Sequence, residues 1–293
     1  MERLKRRLFI VRAGAGAVAA SFGVQRLMGQ SKEATSSFSF GLCNSSLGSA
    51  AEYKSAGAEY LEVGARSFLM PDKPDSDFAK NLEKAKASVL PIQAANGFLP
   101  DTLLCVGPDA NPEGVCKYAD VAFRRAKQIG IRVIVLGSAK SRKIPDGFSR
   151  EKAEAQFVDV LKRMGPLAEA QGVTVAIEPL NRKESNFINT VVEGAAIAEK
   201  ANHPAIRLLA DMYHVLRNEE SPDDLRKVGP FLVHCHIAEK EGRTAPGVNG
   251  QDFRPFFAAL RAAGYKGRVS IEGKWKPDQL PKAFATLREQ SKA

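Results

Sequence analysis

The 293-residue chain is predicted to be an α/β protein: a single-domain (β/α)₈ TIM barrel over residues 37–293, preceded by a signal-like tail and linker over 1–36. Three observations predict it. Eight short apolar segments alternate with amphipathic ones over about 260 residues, the rhythm of repeated βα units. The apolar segments are nearly continuous hydrophobic runs, as parallel strands covered on both faces should be. No G-x-G-x-x-G follows the first of them, which argues against an open dinucleotide-binding sheet.

In chain order, strands are expected near 38–43 (FSFGLC), 59–65 (EYLEVGA), 88–95 (SVLPIQAA), 131–137 (IRVIVLG), 173–179 (VTVAIEP), 206–211 (IRLLAD), 231–238 (FLVHCHIA) and 268–273 (RVSIEG). Between them, segments such as 117–130 and 154–172 repeat apolar residues three or four apart and end on glycine, a helix with its C-terminal stop. A Ser/Thr-rich stretch, 31–39, leads into the first strand.

The composition, 44% hydrophobic and 26% charged, is that of a globular protein, and no run of about 18 apolar residues offers a membrane span. The net charge of +10 is unevenly placed. Residues 1–32 hold seven Lys or Arg against the single acid Glu2, which leaves +4 for all the rest. Most of the basic excess therefore belongs to a tail and not to a nucleic-acid face. With adjacent Arg6 and Arg7 before an Ala/Gly-rich stretch, that tail resembles a twin-arginine export signal, so a periplasmic or otherwise exported protein is expected, with a cytoplasmic one as the alternative. No stable membrane insertion is expected after its removal. Four cysteines are too few for a disulfide framework, although Cys105 and Cys116 flank a loop and are able to pair after export or equally to remain free thiols.

Catalytic groups of such barrels sit at the C-terminal ends of strands. Strand five ends at Glu178, strand six at Asp211, strand seven at His236 and strand eight at Glu272. Singly, each has a plain structural explanation: a solvated carboxylate, a turn cap, a core histidine. Together, on four successive strands, they converge on one face. Three carboxylates that close repel one another unless a cation holds them. An oxygen-rich set with one imidazole suits one divalent metal ion, Mn²⁺ first, or Mg²⁺, Co²⁺ or Zn²⁺. Glu62, at the end of strand two, is expected to contact substrate or to support a metal ligand. Ser138, Arg142 and Lys143 are placed near the mouth, where a basic pair is able to hold an acid group, or simply in a solvated loop. Lys274 is ambiguous, and Trp275 either stacks on a sugar or closes the barrel.

The segments IEPLNRKE (177–184), DMYHVLRNEE (211–220), HCHIAEKEGRTAPG (234–247) and SIEG (270–273) resemble those of the xylose isomerase-like TIM barrels, in the ketose 3-epimerase and hydroxypyruvate isomerase branch. The resemblance spans residues 37–275. It implies metal ligation by Glu178, Asp211, His236 and Glu272, with Glu178 and Glu272 as the catalytic acid/base pair that moves a proton beside a sugar carbonyl. It further implies substrate contacts from His214, Glu184 and Arg243, the last seven residues after His236 where the epimerase pattern has six. Asn181 and Arg182 are expected to shape the loop after strand five.

A small carbohydrate substrate follows, with no nucleic acid and with a homo-oligomer as an open option. The alternatives are a metal-dependent lyase or hydratase acting on keto-sugars or oxidised glycosides, an endonuclease of the same superfamily, and a non-catalytic sugar-binding protein. An endonuclease needs many histidine ligands, and the chain has only His203, His214, His234 and His236. Retention of both Glu178 and Glu272 argues against a mere binder.

Overall fold

The computed structural model describes residues 38–293. The expected export signal, the linker and the domain boundary at 36/37 lie outside the described residues. Eight parallel strands, β1 (Ser39–Leu42), β2 (Tyr60–Gly64), β3 (Ile92–Asn96), β4 (Val133–Leu136), β5 (Thr174–Ile177), β6 (Ile206–Asp211), β7 (Leu232–Ile237) and β8 (Arg268–Ile271), pair in sequence order. Phe40 opposite Val269 and Leu42 opposite Ile271 close β8 back onto β1. The predicted barrel is the observed one.

Around it run α1 (Ala50–Ala56), α2 (Asp75–Lys86), α3 (Pro112–Ile129), α4 (Arg150–Ala170), α5 (Val191–Ala201), α6 (Met212–Arg217), α7 (Pro222–Lys227), α8 (Arg254–Ala262) and α9 (Leu280–Gln290). Their ends carry the expected chemistry. Asn111, Ser149 and Thr190 cap α3, α4 and α5 through their side chains, and α3 stops at Gly130 in the left-handed conformation. Among the described residues, no helix is long and apolar enough to cross a membrane.

The period-2 alternation of strands sorts every site residue. Ile134, Leu136, Val175, Ile177, Leu208, Ala210, Cys235, Val269 and Ile271 face outward into the main core beneath the helices. Their alternates, Ala94, Val133, Val135, Ala176 and Leu209, form a small separate cluster inside the barrel. The same parity turns Asn96, Glu178, Asp211, His236 and Glu272 inward, one step further toward the C-terminal mouth. The aliphatic cluster fills part of the barrel interior, and the carboxylates of Glu178, Asp211 and Glu272 collect toward the mouth.

Candidate active site

Glu178 and Glu272 sit one residue past β5 and β8, still tied to neighbouring strands: Glu178 N donates to Leu136 O at 3.2 Å and Glu272 N to Ile237 O at 3.1 Å. Asp211 pairs in register with His236 on β7. The four side chains therefore converge, with one ligand atom from each lying within 4.8 Å of the others. Asp211 is also a turn cap, because its Oδ1 accepts from Tyr213 N at 2.9 Å at the start of α6. A carboxylate has two oxygens, so capping through Oδ1 leaves Oδ2 for the cluster and the two readings of Asp211 are compatible.

His236 is oriented from below. Its Nε2 donates to Glu62 Oε1 at 2.8 Å, which leaves Nδ1 to face the carboxylates, 3.1 Å from Glu272 Oε2 and 3.5 Å from Glu178 Oε1. Neither approach has hydrogen-bond geometry: His236 Nδ1 and Glu178 Oε1 are both buried without a hydrogen-bond partner. A ring-nitrogen lone pair and an unpartnered carboxylate oxygen aimed at one point among buried acids are what a divalent cation needs. The residues fit the metal that the sequence implies. Burial, reinforced by Glu272, holds the Asp211 carboxyl well above the usual range. Burial alone would lower His236, but the Glu62 and Glu272 carboxylates hold it well above the usual imidazole range.

Glu62 lies in the middle of β2, not at its end, and is fully buried. Leu61 and Val63 face the outer core, so parity points Glu62 into the barrel. There it accepts from His236 Nε2, from His234 Nε2 at 2.7 Å and from Ser270 Oγ at 2.6 Å. Since Ser270 spends its hydrogen on Glu62, the Tyr60 hydroxyl must donate to Ser270 Oγ, 2.8 Å away. This layer holds the ring of the candidate ligand His236 from below, the supporting role that was one of the two expected of Glu62.

The remaining predicted residues line a cavity of about 300 Å³ above the quartet, with Glu178, Glu184, His214, Arg243 and Glu272 in its wall. His214 Nδ1 accepts from Asn181 N at 3.2 Å, so its hydrogen is on Nε2, 3.4 Å from Asp211 Oδ2. Burial and then Arg243 push its pKa down to about 4, so it is a neutral donor at ordinary pH. Asn181 also donates to Glu184 Oε1 at 2.8 Å. Arg243 Nη2 donates to Glu272 Oε2 at 2.6 Å and Asp211 Oδ2 at 3.2 Å, while its guanidinium lies 4.6 Å from the Tyr213 ring centre. The extra residue between His236 and Arg243 is absorbed by a tight turn in which Arg243 itself takes a φ of 52°.

Other expectations are revised. Arg142 is not at the mouth: it is fully buried and its Nη2 donates to the Glu178 carbonyl at 2.6 Å, bracing the backbone of that residue. Trp275 packs edge-on against Tyr53, closing the barrel and not lining the cavity. Cys105 and Cys116 are free thiols. The sequence reading also missed three residues. Asn96, at the end of β3, donates to Glu272 Oε1 at 2.6 Å. Arg66 and Lys140 line the far side of the cavity. Asn96 had a signal, a polar residue directly after the strand candidate at 88–95, the place in the repeat where the quartet residues also fall.

A family model described as xylose isomerase-like TIM barrel matches residues 50–290. The L-ribulose 3-epimerase of Methylomonas sp. (strain DH-1) is 34% identical over 240 residues, 79% of either chain. The chain belongs to the xylose isomerase-like TIM barrel family. Another relative, the 3-dehydro-D-guloside 4-epimerase of Escherichia coli (strain K12), is 30% identical over 127 residues, 43% of this chain and 48% of that one. Among solved structures, the 3-keto-D-glucoside 4-epimerase of E. coli in its apo form superposes with a TM-score of 0.71, at 21% identity over 87% of this chain and all of that one. Membership in this family makes the chain an enzyme of the isomerase and epimerase kind.

Proposed function

We propose that this enzyme is a divalent-metal-dependent sugar epimerase or isomerase, with Mn²⁺ the preferred ion, that abstracts a proton from the carbon beside a ketose carbonyl. The observation that carries this reading is the convergence of His236 Nδ1 with oxygens of Glu178, Asp211 and Glu272, two of those atoms being buried and unpartnered. A cation held by these four side chains supplies Lewis acidity to adjacent sugar oxygens. Glu178 and Glu272 enter the cavity from β5 and β8, and one removes the α-proton while the other, or the same one, returns it. Return to the opposite face of the same carbon gives an epimer; return to the neighbouring carbon gives an aldose–ketose pair. His214 Nε2–H and the Arg243 guanidinium offer donors to the oxygen on which negative charge develops. Glu184 accepts from Asn181 Nδ2 and lines the same cavity, which supports a role as acceptor for a sugar hydroxyl.

The test is incubation of the metal-loaded enzyme with a panel of ketoses in deuterated water. Solvent deuterium is expected at the α-carbon of the sugar that turns over, and Glu178→Gln and Glu272→Gln should each abolish it. Turnover without any deuterium would replace proton transfer by a hydride shift.

A further inference from the structure

The run Ala94-Ala95-Asn96-Gly97 places one more polar side chain beside the quartet. Ala94 packs in the cluster inside the barrel and Ala95 in the outer core, so alternation along β3 turns Asn96 inward. Its side chain is buried and lines the cavity of about 300 Å³ together with Glu178 and Glu272. The next residue, Gly97, takes a φ of 65° as the strand ends. A Cβ built on Gly97 would meet nothing within 4 Å, so there is open space next to Asn96.

The amide of Asn96 has a fixed orientation. Its Nδ2 donates to Glu272 Oε1 at 2.6 Å and to Cys43 Sγ at 3.4 Å, so both of its hydrogens are engaged. Turned over, the amide would set its oxygen against a carboxylate oxygen with no hydrogen between them. Cys43 is itself held, its N–H donating at 3.0 Å to the carbonyl of Ile271, the residue before Glu272. The remaining polar atom, Asn96 Oδ1, accepts no hydrogen bond from the described residues, yet it is not sealed off, and the opening it meets is the cavity. The bond to Glu272 also sorts that residue's two oxygens. Oε2 faces the cluster, 3.1 Å from His236 Nδ1, whereas Oε1 is the one that Asn96 holds. Glu178 has no comparable holder, and its Oε1 is buried without a partner.

Asn96 brings the only side-chain amide to the lining of this cavity. A carboxylate in its place would repel Glu272, and an apolar group would leave a sugar hydroxyl unpaired. We infer that Asn96 is a specificity-determining residue of the proposed reaction. It holds Glu272 by Oε1 and accepts, through Oδ1, from a sugar hydroxyl beside the reacting carbon. The sugar it selects carries a free hydroxyl there, in the configuration that points its hydrogen at Asn96. The opposite configuration leaves Oδ1 unpaired in a closed site, the loss by which a site built to bind a hydroxyl rejects the wrong substrate. This rests on the epimerase or isomerase reading above and adds to it the residue that reads the sugar.

The experiment uses the full-length, Mn²⁺-loaded enzyme and the four D-ketohexoses, fructose, psicose, sorbose and tagatose, which differ only in configuration at C3 and C4. The readout is kcat/KM for solvent-deuterium exchange, with calorimetric dissociation constants for any variant that has lost exchange. Asn96→Leu removes donor and acceptor at nearly constant volume, and Asn96→Asp keeps an acceptor oxygen. The wild type should separate its best and poorest ketohexose by about tenfold or more. Asn96→Leu should shrink that separation about fivefold, the worth of one neutral hydrogen bond, while Asn96→Asp keeps the wild-type order. Titration with Mn²⁺ should show affinity reduced about 10–100-fold in Asn96→Leu, because Glu272 has lost its holder. Asn96→Ala, which opens space and crowds nothing, takes the place of Asn96→Leu if circular dichroism shows the latter unfolded. A separation unchanged in the apolar variant, or lost equally in Asn96→Asp, overturns the hydroxyl contact. Wild-type Mn²⁺ affinity in the apolar variant overturns the hold on Glu272. A wild type that exchanges none of the four overturns the inference alone; one that exchanges no ketose of the wider panel overturns the proposed reaction with it.

Discussion

A Cβ built on Gly137 would lie 2.2 Å from Oε2 of Glu178, so the residue after β4 must be glycine for that carboxylate to reach the barrel centre. Gly137→Ala is expected to leave the fold intact, since nothing else crowds the position, but to push Glu178 aside and weaken metal binding about 10–100-fold, the range seen when groups supporting metal ligands are lost. Titration of the purified variant with Mn²⁺, alongside circular dichroism, measures both. Glu62 acts on the same centre from the opposite side. Glu62→Gln keeps a bond to only one of its two histidines as acceptor and removes the charge that fixes the His236 tautomer. A loss of metal affinity of about tenfold or more is expected from calorimetry, with little change in KM at saturating metal. A large KM effect instead would return Glu62 to the substrate site.

At the scale of elements, two loops carry buried carboxylates. Glu239, just past β7, accepts from the backbone N–H groups of Gly247, Asn249, Gly250 and Gln251 and from Thr244 Oγ1. It thereby folds the loop that starts with Arg243. Glu239→Leu strands those donors and should cost about 2–4 kcal/mol, with accelerated hydrogen exchange confined to 244–251. Glu220 ties the loop after α6 to α5, its Oε2 accepting from Val191 N at 2.8 Å while Oε1 is buried and unpartnered. Burial, with Asp224 adding to it against the Val191 bond, raises its pKa to about 7. The folded state thus retains a proton that the unfolded chain loses above its ordinary carboxyl range near pH 4.5. Stability from this group is full below that pH and lost as pH rises through about 7. Glu220→Gln keeps an acceptor without the charge. Its melting temperature should exceed that of the wild type at pH 8, by about 1–2 kcal/mol of stability after allowance for solvent screening, and match it at pH 5.

The strands were legible because buried parallel strands are apolar runs, and the quartet because a charge ends each of four runs. What parity within a strand decides was legible too, but only once the strand bounds were known. Glu62 between outward Leu61 and Val63 has to face inward, and the shift in pairing at Leu61/Glu62 is invisible in sequence. Arg142 and Arg125 could not be read, because their partners lie 36 and about 50 residues away and nothing local demands burial of a guanidinium.

For the whole molecule, the barrel brings residues from 178 to 272 to one point at its mouth, and the export expectation for residues 1–36 concerns where the proposed ion would be acquired. Twin-arginine export carries folded protein, so under that expectation a metal loaded inside the cell would travel with the enzyme. Fusion of residues 1–35 to a reporter should deliver it outside the cytoplasm; a reporter retained there while the pathway is active would refute export. The central claim is that Glu178, Asp211, His236 and Glu272 form one metal site. Elemental analysis of the purified chain tests it most directly. About one equivalent of divalent metal per chain is expected in the wild type, with nearly all of it lost in Asp211→Asn and in His236→Ala. Metal content equal in the wild type and both variants, or no divalent metal bound by the wild type on titration, would contradict it.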